Sequence, residues 1–466
     1  MKRVVAGATI LVVSLAAAYG YGVTQRETDY RAFIAQGDAA LAAGDTSAAI
    51  EAFSGAIAYN DESMVAYLRR GEAKRRRDEL EPALKDLRRA SELDPTATRP
   101  RELLGDVNYA LGRYARAAER YREFLVLDEQ SPRLLYKLGL ARYREGDAAG
   151  AIDALRNAVA LDNQFAEAHY LIGLCYGATH QRRESIAALE RAIELAPTML
   201  KAREELADIY GRVGRVDDRT SQLERLLAFD PGPAREIALG VAYAEQGDTS
   251  SSLQTLTRTA RRHPSYRYTY VALGKVWLDI AQARSDDVAL GKALESLQSI
   301  AGVIDTSEAL TQLGRGLLMS NQDELAESTL QRATETLPVE PKAFAYLAEV
   351  AERRGHDELA RQALFDYHAL EAQSGDLRGH GRLATRIADL SLRLNDAGSA
   401  MAWYQRAALA GPLDASSLTG LADAQFRAGK LDEARATLNK ALAADPTLPT
   451  ALQLKRRMIP ARRPDL

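Results

Sequence analysis

The chain has 466 residues, which is more than one compact domain usually holds unless the fold grows by repetition. Ala, Leu, Arg and Glu dominate the composition and only 6% of the residues are aromatic, a balance that favours helices. A formal net charge of −3 gives no indication of nucleic-acid binding, and the single cysteine, Cys175, excludes an intrachain disulfide framework and a multi-cysteine metal site.

The N-terminal segment begins with two basic residues and continues with an uncharged, mostly apolar run from Val4 to Val23. Such a run of about 20 residues reaches across one hydrocarbon core. One interpretation is a signal peptide that ends at the small-residue triplet Ala16–Ala18. The other is an uncleaved membrane anchor that continues through Tyr19 and Tyr21, which suit the membrane interface. Residues 1–29 are therefore predicted to be a signal peptide or transmembrane anchor.

Both interpretations place the basic end inside and export the rest of the chain. We therefore predict a single-pass protein of the bacterial inner membrane with its body in the periplasm, or a soluble periplasmic protein if the segment is cleaved. An uncleaved segment would make the membrane itself a partner of the chain.

The chain then repeats with a period of 34 residues. One small residue recurs at this interval as Gly37, Gly71, Gly105, Gly139 and Gly173. A second small residue follows as Ala49, Ala83, Ala117 and Ala151, and a large apolar residue follows that as Phe53, Leu87, Tyr121 and Leu155. Small residues let two helices cross closely and large residues fill the space between them. Each unit is therefore predicted to be a helix pair, with Gly-Asp turns such as Gly146-Asp147 capping both helices.

This pattern resembles the tetratricopeptide repeat family, whose unit also has 34 residues with small, large and proline positions. The resemblance implies an all-α fold, a right-handed α-α superhelical solenoid of about twelve helix pairs preceded by one hydrophobic N-terminal helix. We predict an N-terminal array over 30–266, middle units over 267–380, C-terminal units over 381–448, and a capping helix and tail over 449–466. The middle block includes a stretched eighth unit and a Gly-rich end at Gln373–Arg382, a candidate hinge.

No residue pattern indicates catalysis or a cofactor. The six histidines include no H-E-x-x-H pair, and neither a P-loop nor a G-x-S-x-G elbow is present in the sequence. Carboxylates on helical surfaces are usually solvated partners of arginine. We therefore expect a protein that is not an enzyme and that has no cofactor, no metal and no nucleic-acid partner.

The family resemblance implies that certain positions of the first helix in each unit face a concave groove. In units two to five these positions are rich in tyrosine and arginine, the residue types enriched at interface hot spots. The predicted partner-binding residues are Arg76, Tyr109, Arg133, Tyr136, Tyr143, Arg144 and Tyr170. The alternative is that some of these tyrosines fill space between repeats and expose only their hydroxyl groups.

Several functions are compatible with this pattern. The leading hypothesis is a membrane-tethered scaffold that binds proteins or peptides in its groove, in bacterial envelope assembly or secretion, or a soluble periplasmic adaptor of the same repeat type if the signal is cleaved. An alternative is an inner-membrane regulator or adaptor of lipopolysaccharide or exopolysaccharide assembly that faces the cytoplasm. A third is an enzyme with the repeats as a substrate arm, which would need a separate non-repeat domain. The sequence does not identify the partner or the oligomeric state.

Overall fold

A computed structural model describes residues 2–126, 130–303, 305–374 and 380–458, with side chains for 20–126, 130–303, 305–371 and 381–458. This part of the chain contains 25 α-helices and no strand. It forms two compact units, Met1–Asp230 and Pro231–Leu466. The all-α repeat fold is therefore confirmed, whereas the grouping into three blocks of repeats stays a prediction.

The odd-numbered helices up to α23 are the first helix of each pair (helix A), and the even-numbered helices are the second (helix B). The helices are α1 Lys2–Ala42, α2 Thr46–Tyr59, α3 Met64–Arg76, α4 Leu80–Leu93, α5 Thr98–Ala110, α6 Tyr114–Leu125, α7 Pro132–Glu145, α8 Ala148–Leu161, α9 Ala166–Ala178, α10 Arg182–Leu195, α11 Leu200–Val213, α12 Val216–Phe229, α13 Pro233–Glu245, α14 Thr249–Arg262, α15 Tyr268–Arg284, α16 Asp287–Gln298, α17 Ser307–Met319, α18 Asp323–Glu335, α19 Pro341–Arg354, α20 Asp357–Ser374, α21 His380–Arg393, α22 Ala397–Ala410, α23 Ala415–Arg427, α24 Leu431–Ala444 and α25 Pro449–Arg457.

The pair α7 and α8 shows how the sequence sets these boundaries. Ser131 caps α7 by accepting a hydrogen bond from the Leu134 amide. Gly146 ends α7 in the left-handed conformation at φ 96°, which costs glycine little because it has no Cβ. Asp147 then caps α8 by accepting from the Gly150 amide. The Gly-Asp turn is thus confirmed as a C-terminal cap followed at once by an N-cap.

The recurring glycine sets how closely helix A approaches helix B. A Cβ atom built on Gly139 would lie 2.5 Å from Cγ of Leu155, and one on Gly105 would lie 2.4 Å from the Tyr121 ring. Leu155 is completely buried. A larger residue at Gly139 or Gly105 would therefore force the helices apart or the buried side chain out of its rotamer.

The predicted separate N-terminal helix is wrong, because α1 is one continuous helix that begins at Lys2 and supplies helix A of the first pair. No proline interrupts residues 2–42. From residue 20 onward α1 is largely exposed as far as residue 28, and Tyr21 is 73% exposed. The side chains of 1–19, which hold most of the run Val4–Val23 and the triplet Ala16–Ala18, lie outside the described residues.

Within the part of the chain that the structure describes, no helix is long and apolar enough to cross a membrane. The predicted single-pass inner-membrane location is therefore wrong. The periplasmic placement of the body rested on the same segment and loses its basis with it.

The stretched eighth unit corresponds to a longer helix A. Helix α15 has 17 residues, whereas α3, α5, α9 and α13 have 13. It ends at Arg284, and the following residue, Ser285, adopts the left-handed conformation at φ 51°. Most of the predicted hinge Gln373–Arg382 lies outside the residues whose side chains are described.

We predict opposite effects for alanine at two helical glycines. Gly139→Ala should lower the free energy of unfolding by about 1–2 kcal/mol, because overpacking against Leu155 outweighs the gain in helix propensity. Gly291→Ala in α16 should raise it by about 0.5–1 kcal/mol, because open space surrounds that position. Urea unfolding followed by circular dichroism measures both. A Gly139→Ala midpoint equal to or above wild type would contradict the close-packing argument.

Candidate partner-binding face

The seven predicted binding residues lie on four successive A helices of the first compact unit. Arg76 lies on α3, Tyr109 on α5 and Tyr170 on α9, and the other four lie on α7. We call the surface formed by these residues and their neighbours on α3, α5, α7, α9 and α11 the A-helix face. Its three predicted arginines are exposed, whereas its four predicted tyrosines are half-buried.

Three of the tyrosines rest on the hydrophobic core beneath them. Tyr136 and Tyr143 pack against the buried cluster around Leu171, and the Tyr136 ring lies 5.1 Å from the Phe165 ring. Tyr170 packs against the cluster around Leu206. Burial raises the pKa of both Tyr136 and Tyr170, and neighbouring glutamates add to the effect. Each of these tyrosines therefore packs partly against the core and is partly exposed, so it has features of both the binding and the packing interpretation.

Tyr109 and Arg144 connect α5 to α7. The neighbouring Tyr109 phenol raises the pKa of the Arg144 guanidinium. The Tyr109 ring also contacts the Tyr114 ring edge-on at a centroid distance of 5.2 Å. This ring contact restrains Tyr109, which reduces the entropy lost when a partner binds it.

A ladder of ion pairs occupies the same face on α1, α3, α5 and α7. Arg69 reaches Asp38 at 3.4 Å, and Arg99 reaches Glu72 at 3.6 Å. Arg76 belongs to this ladder through its 3.5 Å contact with Glu72.

Lys137 is the best-buried cation of the ladder. Its Nζ donates to Oε1 of Glu102 at 2.7 Å and to Oδ1 of Asp106 at 2.8 Å. The Tyr121 hydroxyl also donates to Asp106, at 2.8 Å. Burial opposes ionisation of Glu102, but the hydrogen bonds and charges of Lys137 and Arg99 outweigh it and lower the pKa of that carboxyl. Sequence reasoning missed Lys137, because its partners lie on helix A of the preceding repeat. The available signal was that Glu102 and Asp106 precede Lys137 by about one period of the repeat.

The ladder gives way to an apolar surface at α7 and α9. At one repeat position α1, α3 and α5 carry Asp38, Glu72 and Asp106, whereas α7 and α9 carry Leu140 and Leu174. Both leucines are half-buried beside Tyr136 and Tyr143. We call the surface formed by Tyr136, Leu140, Tyr143, Tyr170 and Leu174 the aromatic patch.

The second compact unit has a polar cavity of about 360 Å³ lined by residues of α21, α22, α23 and α25. Asp389 lines it and accepts a hydrogen bond from the Tyr404 hydroxyl. Asp423, also in the lining, is paired with Arg427 at 2.7 Å and Arg457 at 3.3 Å. Although Asp389 is exposed to solvent within the cavity, the surrounding walls displace water, and this desolvation raises its pKa.

The described residues include no group of three or more His, Cys, Asp or Glu that could hold a metal ion. Cys175 is buried, and burial raises the pKa of its thiol to about 12. This thiol is therefore protonated at neutral pH and inert, as expected of a packing residue.

Comparison with known families finds tetratricopeptide repeats in this chain. The description "Tetratricopeptide repeat" matches residues 34–98, 136–178 and 385–449 and, in a second form, 166–199. The description "TPR repeat" matches residues 105–146. These matches agree with the 34-residue period and with the helix pairs.

Individual relatives are distant. The small glutamine-rich tetratricopeptide repeat-containing protein 2 of Mycosarcoma maydis is 34% identical over 94 residues, which are 20% of this chain and 27% of that protein. The chain thus spans about a quarter of the length of this relative. YrrB, described as a TPR protein with an unusual peptide-binding site, is 24% identical, with 41% of this chain and 97% of YrrB covered at a TM-score of 0.36. A chain of the APC/C hetero-tetramer Cut9–Hcn1 is 13% identical, with 92% and 96% covered at a TM-score of 0.39.

We predict that Asp389→Asn stabilises the protein at neutral pH. The folded state raises the pKa of this carboxyl above the ordinary 3.8, so its stabilising contribution is present at low pH and is lost as pH rises through the raised value. The asparagine cannot ionise and still accepts from Tyr404. Thermal unfolding should therefore show a higher Tm for the variant at pH 7 and a converging Tm near pH 3.

The matched control is Asp423→Asn, which removes a carboxylate that has arginine partners. It should bring no gain in Tm at pH 7. Equal responses of the two variants would contradict a specific desolvation of Asp389.

Proposed function

We propose that this chain, whose repeats are tetratricopeptide repeats, is a non-enzymatic scaffold that binds a protein or peptide partner on the A-helix face of its first compact unit. Repeats of this type bind protein or peptide partners, and solenoids use extended surfaces of this kind for binding. The single observation that carries the proposal is the aromatic patch, the place where the acidic repeat position becomes Leu140 and Leu174.

The patch combines the properties of an interface hot spot. Its tyrosines supply apolar area and hydroxyl groups, and their contacts with the core fix them before a partner arrives. Exposed Arg133 and Arg144 flank them on the same helix. A largely preformed surface of this kind binds with little rearrangement of the backbone.

The charges around the patch constrain the partner's chemistry. Arg133 and Arg144 favour an acidic group at α7. The next A helix, α11, carries Glu204, Glu205 and Asp208 and so favours a basic group. Burial together with the neighbouring Asp208 raises the pKa of Glu205, so a cation placed there would relieve an unfavourable charge. The partner segment that fits best has an apolar or aromatic centre, an acidic residue at one end and a basic residue at the other.

The role in bacterial envelope assembly or secretion rested on the N-terminal anchor. It is not part of the proposal, because the membrane location is corrected above. For the same reason the proposal does not include a role as an inner-membrane regulator or adaptor of lipopolysaccharide or exopolysaccharide assembly.

Site-specific photo-crosslinking tests the proposal. With p-benzoyl-phenylalanine in place of Tyr143 or Tyr170, irradiation in the cells of origin should give a covalent adduct with one common partner. The same group in place of Arg183, which is exposed on α10, should give no such adduct. Mass spectrometry of the adducts identifies the partner segment and shows whether it has the expected charges.

A second variant separates binding from folding. Arg133→Ala combined with Arg144→Ala changes two exposed side chains and should reduce adduct formation about tenfold without changing the helix content. The A-helix face would be rejected as the binding surface if positions 143 and 183 gave equal amounts of adduct. It would also be rejected if the arginine variant left adduct formation unchanged.

A further inference from the structure

In each of the fifth and sixth repeats, a tyrosine of helix A contacts helix B of the preceding pair. The Tyr176 hydroxyl on α9 accepts from Nη2 of Arg156 on α8 at 2.6 Å. The Tyr210 hydroxyl on α11 donates to Oε1 of Glu190 on α10 at 2.5 Å. Both rings are buried, with 7% and 2% of their surface exposed. In these repeats a phenol ring fills the space between two B helices.

The third repeat has the same space without the ring. Asn108 on α5 occupies the position of Tyr176 and Tyr210, and Arg88 on α4 occupies the position of their helix B partners. A cavity of about 490 Å³ opens there between α4, α5 and α6. It is lined by Arg88, Ser91, Glu92, Leu104, Asn108, Arg116, Glu119 and Arg120.

Asn108 leaves one polar atom unpaired at this cavity. Its Nδ2 donates to the Leu104 carbonyl at 2.7 Å, and this contact fixes the orientation of the amide because a carbonyl oxygen can only accept. Its Oδ1 has no hydrogen-bond partner among the described residues, although only 4% of the side chain is exposed. A buried acceptor without a donor is costly and is rare in native proteins.

We infer that this cavity binds a phenol ring, the group that the fifth and sixth repeats supply from their own helix A. A ring that enters from solvent would bring its hydroxyl towards Asn108, whose buried Oδ1 lacks a donor. Its faces would meet the guanidinium groups at the mouth, as the Tyr176 ring meets Arg156 at 5.9 Å. Within the described part of the chain, Arg88 and Arg116 have no ion pair or hydrogen bond that would hold them elsewhere.

The lining also argues against a carboxylate or phosphate ligand. Glu92 and Glu119 share the lining with three arginines, and the unpaired atom of Asn108 is an acceptor. An anion would meet these two carboxylates as well as the arginines, and it would bring no donor to Asn108. A neutral ring with a hydroxyl donor matches the hydrogen-bonding pattern.

This site is independent of the proposed partner surface. Its lining residues come from α4, α5 and α6 and include no residue of the aromatic patch. Experiment can therefore reject either the partner surface or the phenol site without affecting the other.

Titration of the full chain with p-cresol, the side-chain analogue of tyrosine, tests the inference by ligand-detected NMR. We expect saturable binding with a Kd on the order of 1 mM, the range for a ligand of this size. The ether 4-methylanisole has the same ring without a hydroxyl donor and should bind at least about tenfold more weakly, as expected when a buried acceptor is left unpaired.

Two variants complete the test. Asn108→Tyr should fill the cavity from within, raise the Tm and abolish p-cresol binding. Arg88→Ala, at an exposed position, should leave the Tm unchanged and weaken p-cresol binding severalfold. No saturable p-cresol binding to the wild type, unchanged binding in Asn108→Tyr, or a lower Tm for that variant would overturn the inference.

A tyrosine-containing peptide, acetyl-Gly-Tyr-Gly-amide, distinguishes the source of the ring. If the peptide competes with p-cresol, the site takes the tyrosine side chain of another protein. If only p-cresol binds, the site takes a small phenolic molecule.

Discussion

The close crossing of helix A over helix B is the contact on which the rest of the structure depends. It brings a small residue of one helix against a large buried side chain of the other, as Gly139 and Leu155 show, and alanine takes the small position at Ala207 and Ala348. Because this contact recurs with the 34-residue period, it fixes the place of every other residue in a pair. Positions outside the contact are then free to differ from repeat to repeat, and the two proposed binding sites lie at such positions.

Much of the fold could be predicted from the sequence, since the glycine period, the Gly-Asp turns and the prolines act locally or at a fixed spacing. The extent of α1 could not, because no local signal such as a proline marks an end between the apolar run and the first repeat. The ion pairs of Lys137 with Glu102 and Asp106 join residues one repeat apart, and only the packed helices bring them together.

The candidate sites also divide into features that the sequence predicts and features that only the packed helices reveal. The period identified Tyr136 and Tyr143 as residues that the fold does not require, which the structure refines by showing them half-buried against the core. The Asn108 cavity was not predicted, because asparagine in a helix gives no signal alone. It becomes visible when the same position is compared across repeats, because Tyr176 and Tyr210 show that a ring can occupy this space in the fifth and sixth repeats.

Two different kinds of contact stabilise the first compact unit, apolar packing and the ladder of ion pairs. Apolar contacts hold helix A to helix B, whereas charges join successive A helices from α1 to α7. Most of these charges are partly exposed, so salt screens them while leaving the apolar contacts intact. Raising the ionic strength therefore weakens the links between successive A helices from α1 to α7 more than it weakens the packing within each helix pair.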